Sequence, residues 1–440
     1  MTRSMTSVLA SGLTASGLAA AALLAPTAMA AHAADAGERV VRFSIPGRVE
    51  TPTLYDDEAG GNASGDDPAI WVHSRTQRDS LVIVTAKEGG LRVYDLNARQ
   101  VQSLPATPAP RADGVAGRYN NVDIARGLMV AGKRRDVAVV SDRYNDQLRF
   151  FVIDPAGAAA RIPLREVTAP NLPFVFQHDR AGVDTEKTAY GLAVWQHDSQ
   201  TDVTLTQEGT TRIATVRLTS GRNGLGYTDI RHLALPRTFP LPDGSTWRVC
   251  GEPGTAPQLE GMAVDQDRGI LYAAQEDVGL WRIPLPLRSG EARLVDTVTD
   301  FGVHDRWNPE TEECEPITPN AAAPHAGHLL QADAEGVAIA YGANGKGHIV
   351  VSSQGSDRFA VYSLTGRNAA VASFRIQGVG GVDDVNGSDG LDIVTTPVGP
   401  YRRGLLVSHD EPDTGSTVDP TRDATNFTYA DWGLVLDQLG

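Results

Sequence analysis

The sequence has few cysteines and fewer basic residues than acidic ones. Its 440 residues include only two cysteines, Cys250 and Cys314, and their separation matches no zinc-binding spacing. Asp and Glu outnumber Lys and Arg by 54 to 39, which gives a formal net charge of −15. Because an acidic surface repels nucleic acid and anionic membranes, neither is expected as a partner.

Long apolar runs are also scarce, and the one that exists lies at the N terminus. Arg3 is followed by an Ala/Leu-rich run, and Ala28-Met29-Ala30 offers a small-x-small cleavage site. Ser, Thr and Gly interrupt the run, which makes it too short and too weakly apolar for a membrane anchor. We therefore predict a signal peptide over residues 1–30, cleaved near Ala30, and a secreted, extracellular protein. In that compartment Cys250 and Cys314 are predicted to form a disulfide.

One short motif recurs along the rest of the chain at unequal intervals. Each copy places a polar side chain just ahead of a short apolar run, and in five of the six copies Pro68 or a glycine separates the two. Self-similarity over a long period is typical of repeat architectures. The six copies are Asp66-Asp67-Pro68-Ala69-Ile70-Trp71-Val72, Asn121-Val122-Asp123-Ile124, Tyr190-Gly191-Leu192-Ala193-Val194, Glu260-Gly261-Met262-Ala263-Val264, Glu335-Gly336-Val337-Ala338-Ile339 and Asp389-Gly390-Leu391-Asp392-Ile393.

Further apolar runs of strand length follow each copy, separated by Gly-, Asp- and Asn-containing turns. No amphipathic helical period persists over 12 residues outside the signal peptide. Four strands repeated six times predict an all-β fold, a six-bladed β-propeller with four-stranded blades, over residues 40–440. The last repeat is incomplete, so the run at 40–45 is predicted to close the ring by adding a strand to the last blade, after a flexible mature N terminus at 31–39.

In a propeller, the residues that lead the innermost strands converge at one end of the central channel. A crowd of carboxylates sharing that opening would repel unless a cation lay among them, and carboxylate and amide oxygens are the ligands that Ca²⁺ prefers. Taken singly, each such residue is more often an ordinary turn residue, and the histidines, His409 included, are expected in loops or at the surface. The converging residues are Asp66, Asp67, Asn121, Tyr190, Glu260, Glu335 and Asp389, with Asp333 and Asp383 just upstream and Lys87, Arg143, Glu276, Asp277, Gln354 and Asp410 in turns after the second strands.

Ten ordered segments resemble those of one known family, the β-propeller phytases, which are secreted, calcium-dependent alkaline phytases of the 3-phytase type. The segments cover all six repeats, and their order makes the resemblance specific. They are DDPAIWV at 66–72, VTAKEGGLRVYDL at 84–96, NNVDIA at 120–125, SDR at 141–143, YGLAVWQH at 190–197, LEGMAVD at 259–265, LYAAQEDVGLWR at 271–282, DAEGVAIAY at 333–341, SSQGSDRFAVYSL at 352–364 and NGSDGLDI at 386–393.

The resemblance implies an enzyme that hydrolyses phosphomonoesters of phytate (inositol hexakisphosphate), with several calcium ions in structural and catalytic roles. It implies that Lys87, Arg143 and Tyr190 contact phosphate, and that Glu260 and Asp389 belong to the catalytic centre as well as to the metal sites. The implied metal ligands are Asp66, Asp67, Asn121, Glu260, Glu276, Asp333, Glu335, Gln354, Asp383 and Asp389.

Two positions depart from the family pattern, since Glu88 and Gln207 stand where the family has lysines that contact a neighbouring phosphate. The family also has an acidic residue upstream of the first blade, for which Glu50, Asp56 and Asp57 are candidates.

The expected chemistry is attack on phosphorus by a metal-activated water, which releases phosphate and lower inositol phosphates. The expected substrate is phytate or another phosphomonoester, bound as a calcium complex by a monomeric protein. Two other functions remain open: a calcium-dependent six-bladed propeller lactonase or esterase, and a propeller that binds a glycan or protein without catalysis. Lys87 and Arg143 argue against the lactonase, which needs no phosphate-binding cations.

Overall fold

The computed structural model describes residues 40–57, 62–112, 114–311, 313–318 and 322–440. The predicted signal peptide at 1–30 and the N-terminal stretch at 31–39 lie outside the described residues. Within them no helix is both long and apolar enough to cross a membrane. The longer of the two α-helices, α2 at Trp432–Leu439, has eight residues, and the other, α1, spans Arg180–Val183. Single 3₁₀ turns lie at Gln77–Asp79, Arg143–Asn145, Gly157–Ala159, Ala343–Gly345 and Gln354–Ser356.

Four-stranded antiparallel units repeat along the chain after two N-terminal strands, β1 (Val41–Glu50) and β2 (Leu54–Tyr55). Blade 1 contains β3 (Pro68–Trp71), β4 (Leu81–Thr85), β5 (Leu91–Tyr94) and β6 (Gln100–Leu104). Blade 2 contains β7 (Tyr119–Val130), β8 (Lys133–Asp142), β9 (Gln147–Ile153) and β10 (Leu164–Glu166). Blade 3 contains β11 (Ala189–His197), β12 (Gln200–Gln207), β13 (Arg212–Gly221) and β14 (Gly224–Ala234).

The second half of the chain adds three more units and two hairpins. The first hairpin is formed by β15 (Thr238–Pro240) and β16 (Thr246–Arg248). Blade 4 contains β17 (Leu259–Asp265), β18 (Ile270–Gln275), β19 (Gly279–Pro284) and β20 (Arg293–Thr297), and the second hairpin follows as β21 (Asp305–Asn308) and β22 (Glu313–Pro316). Blade 5 contains β23 (Ala334–Tyr341), β24 (Gly347–Ser353), β25 (Arg358–Ser363) and β26 (Ala370–Gln377), and blade 6 contains β27 (Leu391–Val394), β28 (Leu405–Asp410) and β29 (Ala424–Asp431).

The innermost strands form a closed ring. Each contacts the innermost strand of the next blade in chain order, and β27 of blade 6 contacts β3 of blade 1. Buried aliphatic and aromatic side chains fill the space between neighbouring blades; Ile83 and Val93 of blade 1, for example, share a cluster with Val140 and Phe151 of blade 2. The predicted all-β propeller is confirmed.

The N-terminal strand closes the ring, as predicted, but through a different part of its length. Residues Gly47 to Glu50 of β1 pair with β29 and complete blade 6, whereas Val41 to Pro46 run parallel to β26 of blade 5. The change of partner falls at Gly47, where a Cβ would approach the side chain of Val382 to 2.7 Å. One strand of ten residues therefore joins blades 5 and 6 into a single sheet.

Candidate active site

In blades 2 to 5, the polar residue that begins the repeated motif (the polar leader) is directed by a local irregularity in the innermost strand. The ladder between first and second strands shifts register at the same place in blades 2 to 5, between Tyr119 and Val122, Ala189 and Leu192, Leu259 and Met262, and Ala334 and Val337. Such bulges re-aim side chains next to functional sites. The residues at the start of these bulges are Asn120, Tyr190, Glu260 and Glu335.

The glycines that follow the leaders allow neighbouring strands to approach closely. A Cβ at Gly191 would lie 1.9 Å from the carbonyl oxygen of Glu260, and one at Gly261 would lie 2.3 Å from that of Glu335. Gly336 continues the series, because its N–H donates to the carbonyl oxygen of Asp389 at 2.6 Å. The recurring polar-Gly pairs therefore reflect backbone contact around the ring, which brings the leaders together.

Three glutamates meet at the centre of this end of the channel. Glu260, Glu276 and Glu335 are buried, and one carboxylate oxygen of each lies within 4.8 Å of the others. Burial raises the pKa of all three, and their mutual repulsion adds to the shift of Glu276 and Glu335. Burial, together with the charge of Glu260, also raises the pKa of Asp333.

Asn120 connects this trio to Asp66. Its side-chain amide donates to Oε1 of Glu260 at 2.8 Å and to Oδ1 of Asp66 at 3.4 Å. Sequence reasoning had selected the neighbouring Asn121, whose Oδ1 accepts from the Asn120 amide at 2.9 Å. The strand register places Asn120, not Asn121, at the position equivalent to Tyr190 and Glu260, and aligning the asparagine pair on the following apolar residue could have revealed this.

Lys87 provides a cation on one side of the cluster. Its Nζ lies 3.8 Å from Asp66 and 3.6 Å from Asp389. Burial by itself lowers the pKa of Lys87, but these two carboxylates outweigh burial and raise it, so the ammonium stays charged. The amide of Gln354 donates to Oδ1 of Asp389 at 2.7 Å.

His409 lies behind Asp389 and is fully buried, so its expected place at the surface was wrong. Its Nδ1 accepts from the backbone N–H of Asp389 at 3.2 Å. Burial lowers the pKa of His409 to about 3, which keeps the ring neutral.

Arg143 provides a second cation on the opposite side. It lies over the ring of Tyr190, with Cζ 5.3 Å from the centroid, and forms an ion pair with Glu208. Burial and the charge of Glu260 raise the pKa of Tyr190, so its hydroxyl keeps its proton. Glu208 was missed by sequence reasoning because it lies in a turn after β12 with no motif around it.

A second acidic group lies where β1 meets blade 6. The backbone N–H of Asp383 donates to Glu50 at 2.6 Å, and Oδ2 of Asp383 accepts from Thr414. Burial raises the pKa of Glu50 to about 8 and that of Asp410 to about 9, with repulsion from Asp383 and Asp413 adding to both. Of the three upstream acidic candidates, Glu50 therefore joins Asp383, whereas Asp57 pairs with Arg422 and Asp56 contacts neither acidic group in the described contacts.

Asp67, Glu88 and Gln207 each form contacts outside the two acidic groups. Oδ2 of Asp67 accepts from the backbone N–H of Val122 at 3.0 Å, which links the innermost strands of blades 1 and 2. Glu88 pairs with Arg118, and the amide of Gln207 donates to the carbonyl oxygen of Lys187.

Both acidic groups have the donor chemistry of a hard-cation site. Buried oxygens without a hydrogen-bond partner among the described residues occur in each, and such groups are rare unless an ion or water satisfies them. With carboxylate and amide oxygens alone, this set fits calcium. The oxygens are Oδ1 of Asn120, Oε1 of Glu276 and Oε2 of Glu335 in the central group, and Oδ1 of Asp383, Oδ2 of Asp410 and Oδ1 of Asn426 near blade 6.

The disulfide predicted between Cys250 and Cys314 is confirmed, with a Cα–Cα distance of 6.0 Å. It joins the strand end after β16 to β22, so the two hairpins are tied together beside the central glutamates. Glu276 and Asp277 line the same cavity as Cys250.

Comparison with known proteins identifies relatives over most of the chain. A family model described as phytase matches residues 13–200 and 306–440. A 3-phytase of Bacillus subtilis (strain 168) is 28% identical over 401 residues, which cover 89% of this chain and 86% of that protein. Among solved structures, U3-55K has 12% identity and a TM-score of 0.43, covering 87% of this chain and 99% of that one. The allergen Mala s 1 of Malassezia sympodialis has 11% identity and a TM-score of 0.41, with coverages of 88% and 96%.

The family match covers more than half of the chain and includes Lys87, Arg143, Tyr190 and Asp389. Glu260 and Glu276 lie between the two matched stretches, where the ring geometry brings them to the same cluster. The chain therefore belongs to the phytase family of phosphoric monoester hydrolases.

Proposed function

We propose that the protein hydrolyses phosphomonoester bonds of phytate in a calcium-dependent reaction, releasing inorganic phosphate and lower inositol phosphates. The observation that carries the proposal is the central glutamate trio, buried with unpartnered oxygens, between the cations Lys87 and Arg143. The carboxylates alone would repel a polyanionic ester, and Lys87 and Arg143 are each already paired with carboxylates. Together with bound calcium they would offer it positive charge on several sides.

Calcium would be held by Glu260, Glu276 and Glu335, with Asp66, Asp333 and Asp389 around them; Asp383, Glu50 and Asp410 would hold a further ion with a structural role. The chemistry that calcium supplies when bound is charge neutralisation and polarisation of the phosphate group. Asn120 orients the Glu260 and Asp66 carboxylates by donating to both.

The chain's own cations bind and orient the phosphate. Lys87 stays protonated between Asp66 and Asp389, so its ammonium can donate to a non-bridging oxygen. Arg143 has an Nε without a hydrogen-bond partner among the described residues, and its guanidinium plane suits two phosphate oxygens. The protonated hydroxyl of Tyr190 adds a neutral donor beside Arg143. These donors would stabilise the charge that develops on the phosphate during transfer.

We further propose that the protein is secreted, on the basis of residues 1–30, and acts as a monomer, since a closed ring leaves no blade that needs a partner. The substrate would arrive as its calcium complex, because the free polyanion and an acidic protein repel each other.

The experiment is to incubate purified protein with phytate in saturating calcium or in excess chelator and to measure free phosphate. We expect phosphate release only with calcium. Lactone or carboxyl-ester hydrolysis without phosphate release would instead indicate a lactonase or esterase, and ligand binding without turnover would indicate a binding propeller. Glu335→Gln serves as an active-site control, because it removes one of the three central carboxylates while keeping the side chain's size.

A further inference from the structure

A cavity of about 480 Å³ opens beside the central glutamates, on the side of blades 3 and 4. Its floor includes Gln258 and Glu276, and its outer wall is formed by residues 248–257 together with Trp307 of β21. The cavity thus joins the proposed reaction site to the two disulfide-tied hairpins. The β15–β16 hairpin lies in the part of the chain that the family model does not match.

The wall is held in place by its own packing. Phe239, Trp247 and Phe301 form an aromatic cluster with centroid separations of 4.5 to 5.7 Å. The indole N–H of Trp247 donates to the carbonyl oxygen of Val303, which ties β16 to the segment before β21.

The loop that leaves the hairpin is also fixed, at its far end. The backbone N–H of Ala256 donates to the carbonyl oxygen of Gly209 at 3.0 Å, and Nζ of Lys187 donates to that of Gly254. The cavity is therefore preorganised, with ordered backbone on both sides.

Two arginines, Arg237 and Arg248, line this wall. Arg248 is paired in the hairpin with Thr238, the residue after Arg237, so both side chains arise from the open end of the same hairpin. Both are exposed. Among the described contacts neither guanidinium forms an ion pair or a side-chain hydrogen bond. In a chain with 54 acidic and 39 basic residues, two adjacent unpaired arginines are available for an external anion.

Two of the five acidic residues that line the cavity are engaged elsewhere. Glu208 is paired with Arg143, and Glu276 belongs to the central trio. Among the described contacts, Asp277, Asp305 and Glu252 form no ion pair with Arg237 or Arg248, so both guanidinium groups remain available to an external anion.

We propose that Arg237 and Arg248 bind a second phosphate group of the substrate while the ester to be cleaved lies at the central glutamates. The inference rests on the proposed function, because it needs a substrate with several phosphates. Arginine forks bind phosphate through paired charge-assisted hydrogen bonds. Since the wall is rigid, the pair would also fix the orientation of the inositol ring and so the order in which its phosphates are removed.

The test compares Arg237→Ser/Arg248→Ser with a matched control, Arg222→Ser/Arg231→Ser, which removes two exposed arginines from β14 and its turn. Both variants have the same net charge. Steady-state kinetics are measured with calcium on phytate and on para-nitrophenyl phosphate, which carries a single phosphate. We expect KM for phytate to rise about tenfold or more in the first variant, with a smaller change in kcat, because a hydrogen bond made throughout binding and reaction acts on affinity. Kinetics on the single-phosphate substrate and those of the control variant should stay near wild type.

Three further measurements test the inference. By calorimetry, inert myo-inositol hexasulfate should bind Arg237→Ser/Arg248→Ser more weakly than wild type. Arg237→Lys/Arg248→Lys should recover part of the affinity, and the order of phosphate release should become less selective in the serine variant. Unchanged KM for phytate with unchanged hexasulfate binding would overturn the inference while leaving the proposed function intact. An equal loss on both substrates would also overturn it, because the arginines would then act on the reaction site or the fold. Absence of phosphate release by the wild-type protein would instead reject the proposed function.

Discussion

The contacts of Arg143 in the structure differ from those that its sequence neighbours suggest. Its position in a polar turn suggested pairing with Asp142 or Asp146 if it were an ordinary surface residue. In the structure Asp142 is engaged by Arg149 and Asn145, and Asp146 accepts backbone N–H groups, so neither pairs with Arg143. Arg143 instead contacts Tyr190 and Glu208, and its side chain is 14% exposed.

We predict that Arg143→Ala lowers kcat/KM for phytate by about 10² to 10³, the usual cost of losing a donor to developing charge. An exposed ion pair with no other role would contribute about 1 kcal/mol or less to stability and nothing to turnover. The measurements are kinetics on phytate and the melting temperature, both with calcium. Arg143→Lys should recover part of the rate, because lysine keeps the charge without the planar fork.

Glu208→Gln is the matched control, since it breaks the same ion pair and retains the guanidinium. We expect its kcat/KM to remain close to wild type. Near-normal efficiency of Arg143→Ala, or an equal loss in both variants, would remove Arg143 from the phosphate site.

At the residue scale the sequence predicted the crowd of carboxylates but not every member. Asn121 was selected in place of Asn120 because a second asparagine stands where the equivalent copies have a glycine before the apolar run. Glu208 carries no local signal, because it pairs with Arg143 of the neighbouring blade. His409 carries none either, because its burial depends on the packing of blade 6 around β28. Such tertiary contacts are not encoded by any one stretch of sequence.

At the scale of elements, short apolar runs separated by Gly-, Asp- and Asn-containing turns were sufficient to predict the blades. The two hairpins β15–β16 and β21–β22 were not predicted, because their strands have only three or four residues. The role of β1 was predicted in outline only, since its pairing with both β26 and β29 depends on a bend at Gly47.

We predict that Gly261→Ala disturbs the central cluster through the strand backbone. The new Cβ would lie 2.3 Å from the carbonyl oxygen of Glu335 and 2.6 Å from the Cα of Gly336, so strand β17 or β23 must move. Overpacking of this kind costs about 1–3 kcal/mol of stability. Because Glu260 and Glu335 lie at the point of contact, phosphate release should fall as well. Thermal unfolding and kinetics with calcium measure the two effects.

Gly221→Ala is the control for this change, because the nearest heavy atom to its Cβ is 3.8 Å away in the β13–β14 turn. It should leave both activity and melting temperature nearly unchanged. If Gly261→Ala behaved in the same way, the close approach of β17 and β23 would not be needed to position the glutamates.

At the scale of the whole molecule, the ring concentrates negative charge in a protein that is already acidic. Carboxylates that are held together and buried in the absence of metal retain protons, which is the reason for the raised pKa values of Glu50, Asp410 and the central trio. A carboxyl group whose pKa is higher in the folded state stabilises the fold fully below its unfolded pKa, and this contribution is lost as pH rises through the folded pKa. The metal-free protein should therefore lose stability between about pH 4 and about pH 9, the interval set by the ordinary pKa values and those of Glu50 and Asp410.

Calcium should reverse this loss, since it binds the deprotonated carboxylates of the native state and stabilises that state by mass action, on the order of a few kcal/mol at saturation. We predict that the difference in melting temperature between saturating calcium and excess chelator is small near pH 5 and grows steadily towards pH 9. Differential scanning calorimetry across this range measures it. Glu50→Gln/Asp410→Asn should flatten the profile, because it removes two carboxyl groups whose pKa values lie far above the ordinary range while leaving the central glutamates in place. A calcium effect that is independent of pH, or larger at pH 5 than at pH 9, would contradict the assignment of these buried carboxylates as calcium ligands.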